Sequence, residues 1–578
     1  QGFSVGEYPI VEFDYKAHDG VQFDLVSNNP RGYATVGLAD RCRQHGYYVG
    51  EVGDFRADGE WHRAEFNLLQ GLKKVPYRRG VHRQKWMGIG DFDYRSNAIG
   101  AYYHLDNFRL VPLVSGTEEL QLRWKAHDAS GVRGYSLLWS ASPEDNPDDE
   151  MDSTEGAGAF GGLPSPDAYF HVKACDAAGN WGPVSHFRFL VDAAVPIVAG
   201  VSPANGERSA SSEISVTMED AGSVVDPDTL VLSIDGRPYQ PYSRGVSYDS
   251  SSGKLVWNWV RCRPKEQRGI PDGAVVRMAV VAADFAGNAA PTYEWEWVMD
   301  HSLDRDRPTA PVLKAATLPV RDLQDFQDGI GRWRNRRRND WGAQLKRVWR
   351  DEGNGDHCLQ LFAVRANAFF DAVALDQDYD LQQYPVLSFD YLMPEPVKLN
   401  IQVRVNKTWF ELEMTAPKRS YKLLGKVPDV KADNAWHHVS LDLLELVREA
   451  LPGASAYVVQ EISFGDPARN GNRKNAKWFL DNFMISGYGM PDAECVWRSE
   501  DITGVAGYAV AFDRQMAALP PQEVTSEAES GRFQATEPGT YWLHVAAYDG
   551  NGNWSHPRHL AYPVAAPPEP PPAQSAEP

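Results

Sequence analysis

Tyr8-Pro-Ile-Val-Glu-Phe-Asp-Tyr15 returns as Tyr384-Pro-Val-Leu-Ser-Phe-Asp-Tyr391, and this pair of stretches decides the fold. Trp61-His62 likewise returns as Trp436-His437, and Leu105-Asp-Asn-Phe108 as Leu480-Asp-Asn-Phe483. Further on, Asp128-Ala-Ser-Gly-Val-Arg-Gly-Tyr135 becomes Asp501-Ile-Thr-Gly-Val-Ala-Gly-Tyr508, and Asp176 to Trp181 becomes Asp549 to Trp554. A nearly constant offset of about 375 residues means duplicated domains in a modular array rather than one large catalytic fold.

The second copy has a long lead-in, reaching back from Tyr384 to about Leu323. The first copy has no counterpart for about fifty of those residues. A sandwich without its opening strands exposes unpaired edges and half a core. The expectation is a polypeptide partner that completes the first module. Its source is either the upstream part of a longer, cleaved precursor or another subunit.

Short alternating strands between Gly-, Pro- and Asp-rich turns, with abundant Trp and Tyr, indicate an all-β fold. At 578 residues the chain holds about four or five domains. The divisions are a module at 1–115 lacking its opening strands, units at 116–194 and 195–303, a linker at 304–315, a complete module at 316–490, a repeat of the second unit at 491–563, and a Pro-rich tail at 564–578. No apolar run is long enough to span a membrane. A net charge of −20 argues against binding nucleic acid. The five cysteines fall one to a domain, at Cys42, Cys175, Cys262, Cys358 and Cys495, which excludes a disulfide scaffold.

The 316–490 module resembles the jelly-roll sandwiches of carbohydrate-binding modules through Asp325-Phe-Gln-Asp328, Trp436-His-His-Val-Ser-Leu-Asp-Leu443 and Phe479-Leu-Asp-Asn-Phe483. The 116–194, 195–303 and 491–563 units resemble bacterial immunoglobulin-like and fibronectin-III-like domains through Asp-X-X-Gly-Asn turns at Asp176–Asn180, Asp284–Asn288 and Asp549–Asn553. These resemblances imply tandem β-sandwiches in an extended array, secreted or displayed on a bacterial surface.

The resemblance to jelly-roll modules also implies a structural Ca2+ site, with Asp481 joined by Asp325 or Asp328 and Asp106 as the counterpart in the first copy. A polar cap over a strand end is the competing reading. The Asp-X-X-Gly-Asn turns read as self-bonded hairpin turns rather than calcium loops. Trp61 and Trp436, common to both copies, read as core. The aromatics that differ between copies, Trp333, Trp341, Trp349 and Trp409 in one and Tyr47, Tyr48 and Trp86 in the other, are the candidates for stacking on sugar rings. Arg336, Arg337 and Arg338 add a basic cluster suited to acidic glycan or to an acidic protein surface.

No HExxH motif or P-loop occurs, and no G-x-G-x-x-G follows a strand. The expected function is therefore non-catalytic: jelly rolls that bind glycan or partner protein, with Ig-like spacers. A structural subunit of a surface layer, sheath or filament, and the accessory region of a secreted hydrolase, are the alternatives.

Overall fold

A computed structural model describes residues 2–30, 32–38, 46–75, 79–91, 97–262, 269–336, 343–351, 356–367, 370–394, 397–516 and 518–566. It forms two compact units, 1–304 and 305–578. Both are built almost wholly of antiparallel strands in separate sheets, so the chain is a multidomain β-sandwich protein. Among the described residues no helix is long and apolar enough to cross a membrane.

In the first unit, the opening jelly roll has a three-stranded sheet ordered Asp58–Asn67, Ile10–His18, Tyr103–Val111. It faces a second sheet ordered Tyr47–Glu51, Gly32–Gly37, Asp24–Asn29, Trp86–Gly90. Strand alternation sends Val11, Phe13, Tyr15, Leu25, Ala34 and Val36 into the core between them. An Ig-like sandwich follows, with Val132–Ser140, Asp167–Asp176, Ser185–Asp192 and Leu113–Ser115 in one sheet and Leu120–Arg123 paired to Ala157–Phe160 in the other. A different Ig-like sandwich of four and five strands occupies 197–299.

In the second unit the complete jelly roll is larger. One sheet runs Ala343–Asp351, Asp356–Ala363, Lys477–Ser486, Val386–Leu392, Trp436–Asp442, with Val320–Gln324 also on Lys477–Ser486. The other runs Arg334–Asn335, Phe370–Leu375, Val458–Asp466, Asn400–Val405, Thr408–Glu413, Lys422–Lys426. The final Ig-like sandwich contains a correction to the sequence reading. Val312–Ala315, assigned to a linker, is a strand antiparallel to Asp492–Arg498, and Leu313 and Ala315 lie in the sandwich core. Periodicity over four residues, 180 or more positions from its pairing partner, carries no signal of this.

The repeated words have physical reasons. Leu-Asp-Asn-Phe is a β-bulge in both copies, with Asn107 at φ 51° and Asn482 at φ 46°. The bulged Asn amide donates to the Asp on the facing strand, Asp14 at 2.6 Å and Asp390 at 2.9 Å. In each jelly roll a strand then runs straight into a helix capped by its last residue. Asn67 accepts from the Gln70 amide at 3.0 Å, and Asp442 from the Glu445 amide at 2.9 Å. The Asp-X-X-Gly-Asn turns bond themselves: Asp176 accepts from the Ala178 and Asn180 amides, both at 2.8 Å, and from the Asn180 side chain at 2.9 Å. Gly179 supplies the positive φ of 94° that closes the turn.

Candidate functional site

Two surfaces stand out, and comparison of the two jelly rolls reveals the first. In the complete copy, Lys477–Ser486 pairs on one side with Val386–Leu392 and on the other with Asp356–Ala363 and Val320–Gln324. Among the described residues its counterpart Tyr103–Val111 pairs only with Ile10–His18. Leu480 and Phe483 are 0% exposed, whereas the matching Leu105 and Phe108 are 40% and 49% exposed. The adjoining Ig-like sandwich is open in the same way. Where Asp492–Arg498 receives the Val312–Ala315 strand, the equivalent Leu120–Arg123 pairs, among the described residues, only with Ala157–Phe160. Beside it lies a cavity of about 440 Å³ lined by Trp124, His127, Asp128, Lys173 and Trp181. In the final sandwich the matching place is crossed by Thr309, whose amide donates to the Glu500 carbonyl at 2.8 Å.

The second surface is the outer face of the larger jelly-roll sheet. Ile401, Val403, Val405, Phe410, Leu412, Ile462 and Phe464 point into the core. The alternate positions Asn400, Gln402, Arg404, Trp409, Glu411, Glu461 and Ser463 therefore share the opposite face. Arg336 reaches over it, donating to Asp371 at 2.5 Å and to Ser463 Oγ at 2.9 Å, and pairing with Glu461. Its guanidinium lies 5.1 Å from the Trp409 ring centroid, and Arg404 lies 5.9 Å from the same ring. Tyr421 stacks on Trp409 at 5.1 Å with 17° between planes. Burial alone would lower the Arg336 pKa, but Asp371 and Glu461 raise it, so its charge is firmly held. Burial pushes the Asp371 carboxyl up, and its Oδ1 is buried with no hydrogen-bond partner.

Of the expected ligand residues, Arg336 and Trp409 thus come together. Trp333 does not join them: at 2% exposure it is packed edge-on to Phe326 and Phe483 inside the core, so it offers no face to a sugar. Arg337, Arg338 and Trp341 lie outside the described residues. Tyr421, Asp371, Glu461 and Ser463 were not anticipated. The alternation of Asn400, Gln402 and Arg404 with Ile401, Val403 and Val405 was the signal for a polar face. Trp61, read as core, is 50% exposed, while Trp436 carries the Arg350 guanidinium 4.1 Å above its ring.

The expected calcium position at Asp481 is filled by protein. Arg350 donates to Asp481 at 2.7 Å and to Asp390 at 2.9 Å, so a guanidinium sits where the cation was placed. Burial alone would depress Arg350, but Asp390, Asp481 and Asp356 keep it charged. Burial would raise Asp390, yet Arg350, His438 and Asn482 hold it down at about 2. Burial pushes Asp481 up. Asp325 and Asp328 are exposed, with Asp325 accepting from the Gln327 amide at 3.3 Å. Asp106 accepts from the Asn107 amide at 2.8 Å. Among the described residues none of these four belongs to a three-carboxylate cluster.

No protein-family model matches the chain, and no curated protein matches its sequence. Solved structures similar to it include the fibronectin(III)-like modules of Clostridium thermocellum CbhA, at 13% identity over 33% of this chain and 90% of that one, with TM-score 0.20. Carbohydrate-binding modules of the β-sandwich superfamily match at 9% identity over 51% of this chain and 98% of that one, with TM-score 0.13. A glycoside hydrolase domain of Endo-D from Streptococcus pneumoniae matches at 13% identity over 40% and 37%, with TM-score 0.19.

Proposed function

We propose that this is a non-catalytic, secreted or surface-displayed modular protein whose first repeat works by strand addition. A polypeptide segment pairs along Tyr103–Val111 and Leu120–Arg123, as Val312–Ala315, Val320–Gln324 and Asp356–Ala363 pair along the matching edges of the second repeat. The exposure of Leu105 and Phe108 against the complete burial of Leu480 and Phe483 carries this reading. Covering one such side chain is worth about 1.5–3 kcal/mol before association costs. Main-chain hydrogen bonds supply the remaining affinity and fix the register. The segment comes from the preceding part of a longer precursor or from another subunit. Hydrogen exchange on the isolated chain tests this. Alternate amides of Tyr103–Val111 should exchange at nearly unprotected rates while those of Lys477–Ser486 stay protected. Equal protection of both strands would sink the proposal.

A second binding role, for glycan, is favoured by the Arg336–Trp409–Tyr421 column beside the unpartnered Asp371 Oδ1. Paired carboxylates and guanidinium groups offer acceptors and donors for hydroxyls, and the ring stack offers an apolar platform. Because Asp371 and Glu461 already neutralise Arg336, the face suits neutral sugars better than the acidic glycans expected from the basic cluster. Trp409→Ala should weaken binding about tenfold, or ~1.4 kcal/mol, in a glycan-array titration of the full chain. Unchanged binding by that variant would remove this face from consideration.

A further inference from the structure

Within the first unit, the two Ig-like sandwiches meet at three carboxylates from three separate segments. Asp192 ends the Ser185–Asp192 strand of one sandwich. Asp220 follows the Glu213–Glu219 strand of the next, and Asp284 opens that sandwich's Asp-X-X-Gly-Asn turn. One carboxylate oxygen from each lies within 4.8 Å of the others. Among the described residues no ion pair reaches any of the three.

Their remaining oxygens show that the cluster is unfinished. Asp192 is 4% exposed; its Oδ1 accepts from the Ala194 amide at 2.9 Å, and its Oδ2 is buried with no partner. Asp220 Oδ1 accepts from the Gly222 and Ser223 amides at 3.1 and 2.7 Å, and its Oδ2 is likewise buried and unpartnered. Asp284 is held by the backbone and side chain of Asn288, each at 2.8 Å. Gly222 leaves the room required, since a Cβ there would fall 1.9 Å from Asp192 Oδ1. Burial, then the neighbouring Asp192, pushes the Asp220 carboxyl up. Three like charges in a partly dry site, with two orphan oxygens, are strongly unfavourable without a counter-ion.

We propose that Asp192, Asp220 and Asp284 bind a divalent cation, calcium by preference, that clamps the two Ig-like sandwiches together. Hard carboxylate oxygens suit Ca2+, with water completing the shell. The site would reinforce an existing seam, where the Asn288 side chain donates to the Asp192 carbonyl at 3.0 Å and accepts from Ser115 at 2.6 Å and Thr117 at 3.2 Å.

The test is calorimetric titration of the chelator-stripped full chain with CaCl2, paired with thermal unfolding. Wild type should bind Ca2+ and gain several degrees in the transition reported by thiol labelling of buried Cys175. Asp220→Asn should lose at least tenfold in affinity and most of that gain, yet melt no lower than wild type in chelator, because one repelling charge is gone. Asp148→Asn, on an exposed loop, should behave as wild type. Absence of Ca2+ binding by wild type, or a calcium-dependent gain kept by Asp220→Asn, would overturn the proposal.

Discussion

Replacing Arg350 by Ala should destabilise the complete jelly roll by about 3–5 kcal/mol, the usual cost of stripping one partner from a buried ion pair. Asp390 and Asp481 are each 1% exposed, and the Arg350 side chain is 11% exposed. The variant must either keep two adjacent buried carboxylates charged or protonate them. Arg350 also rests 4.1 Å over Trp436, so its stem and cation–π contact go with it. Cys358 is buried in the same sandwich, and its thiol becomes reactive only when that sandwich opens. The urea midpoint of Cys358 labelling therefore isolates this domain. A loss below about 1 kcal/mol, in the range of exposed pairs, would show that Arg350 does not brace Asp390 and Asp481. Combining Arg350→Met with Asp390→Asn and Asp481→Asn should recover much of the loss, since neutral groups carry no comparable desolvation penalty. Chelator should leave the wild-type Cys358 midpoint unmoved, because a guanidinium already neutralises Asp481.

What the sequence made legible divides along a physical line. The repeat offset, the Leu-Asp-Asn-Phe bulge and the Asp-X-X-Gly-Asn turns depend on local backbone chemistry, and local chemistry is written in contiguous residues. Trp333 and Trp409 were indistinguishable because the local pattern does not say which of two side chains the fold buries. Arg350 was invisible as the ion between Asp390 and Asp481 because the three come from strands 40 and 131 residues apart. The junction carboxylates Asp192, Asp220 and Asp284 escaped for the same reason. The histidine pairs are also legible in the sequence: His171 and His186 return at an identical offset as His544 and His559.

Those pairs carry the second large prediction, acid-induced loosening of the Ig-like repeats. His544 and His559 face each other across neighbouring strands with Nδ1 atoms 2.6 Å apart, and His171 and His186 do the same at 2.6 Å. Only one proton fits between two such nitrogens, so one ring donates, the other accepts, and the two rings of a pair cannot both be cationic. Burial, followed by the facing His544 and then Arg350, lowers His559 to about 3, and burial lowers His544 as well. Folded values below the ordinary 6.5 mean that the unfolded chain binds more protons beneath that pH. The stabilisation is complete above about 6.5 and is lost as pH falls toward 3. Each histidine contributes a slope approaching ~1.4 kcal/mol per pH unit across that window. Between pH 6.5 and 4.5 the final sandwich should lose about 2 kcal/mol or more. Cys495, buried in that sandwich, gives the readout through labelling with dithiodipyridine during urea titrations at successive pH values. His559→Asn should flatten the dependence, because an amide keeps a polar contact without titrating. A midpoint that is constant from pH 6.5 to 4.5, or a slope that survives in His559→Asn, would refute the assignment. The Asp390 carboxylate titrates in a separate window: its folded value near 2 preserves stability above about 3.8 and surrenders it only below. Loss beginning near pH 6 therefore reports the imidazole pair, and loss beginning near pH 4 reports depressed carboxylates such as Asp390.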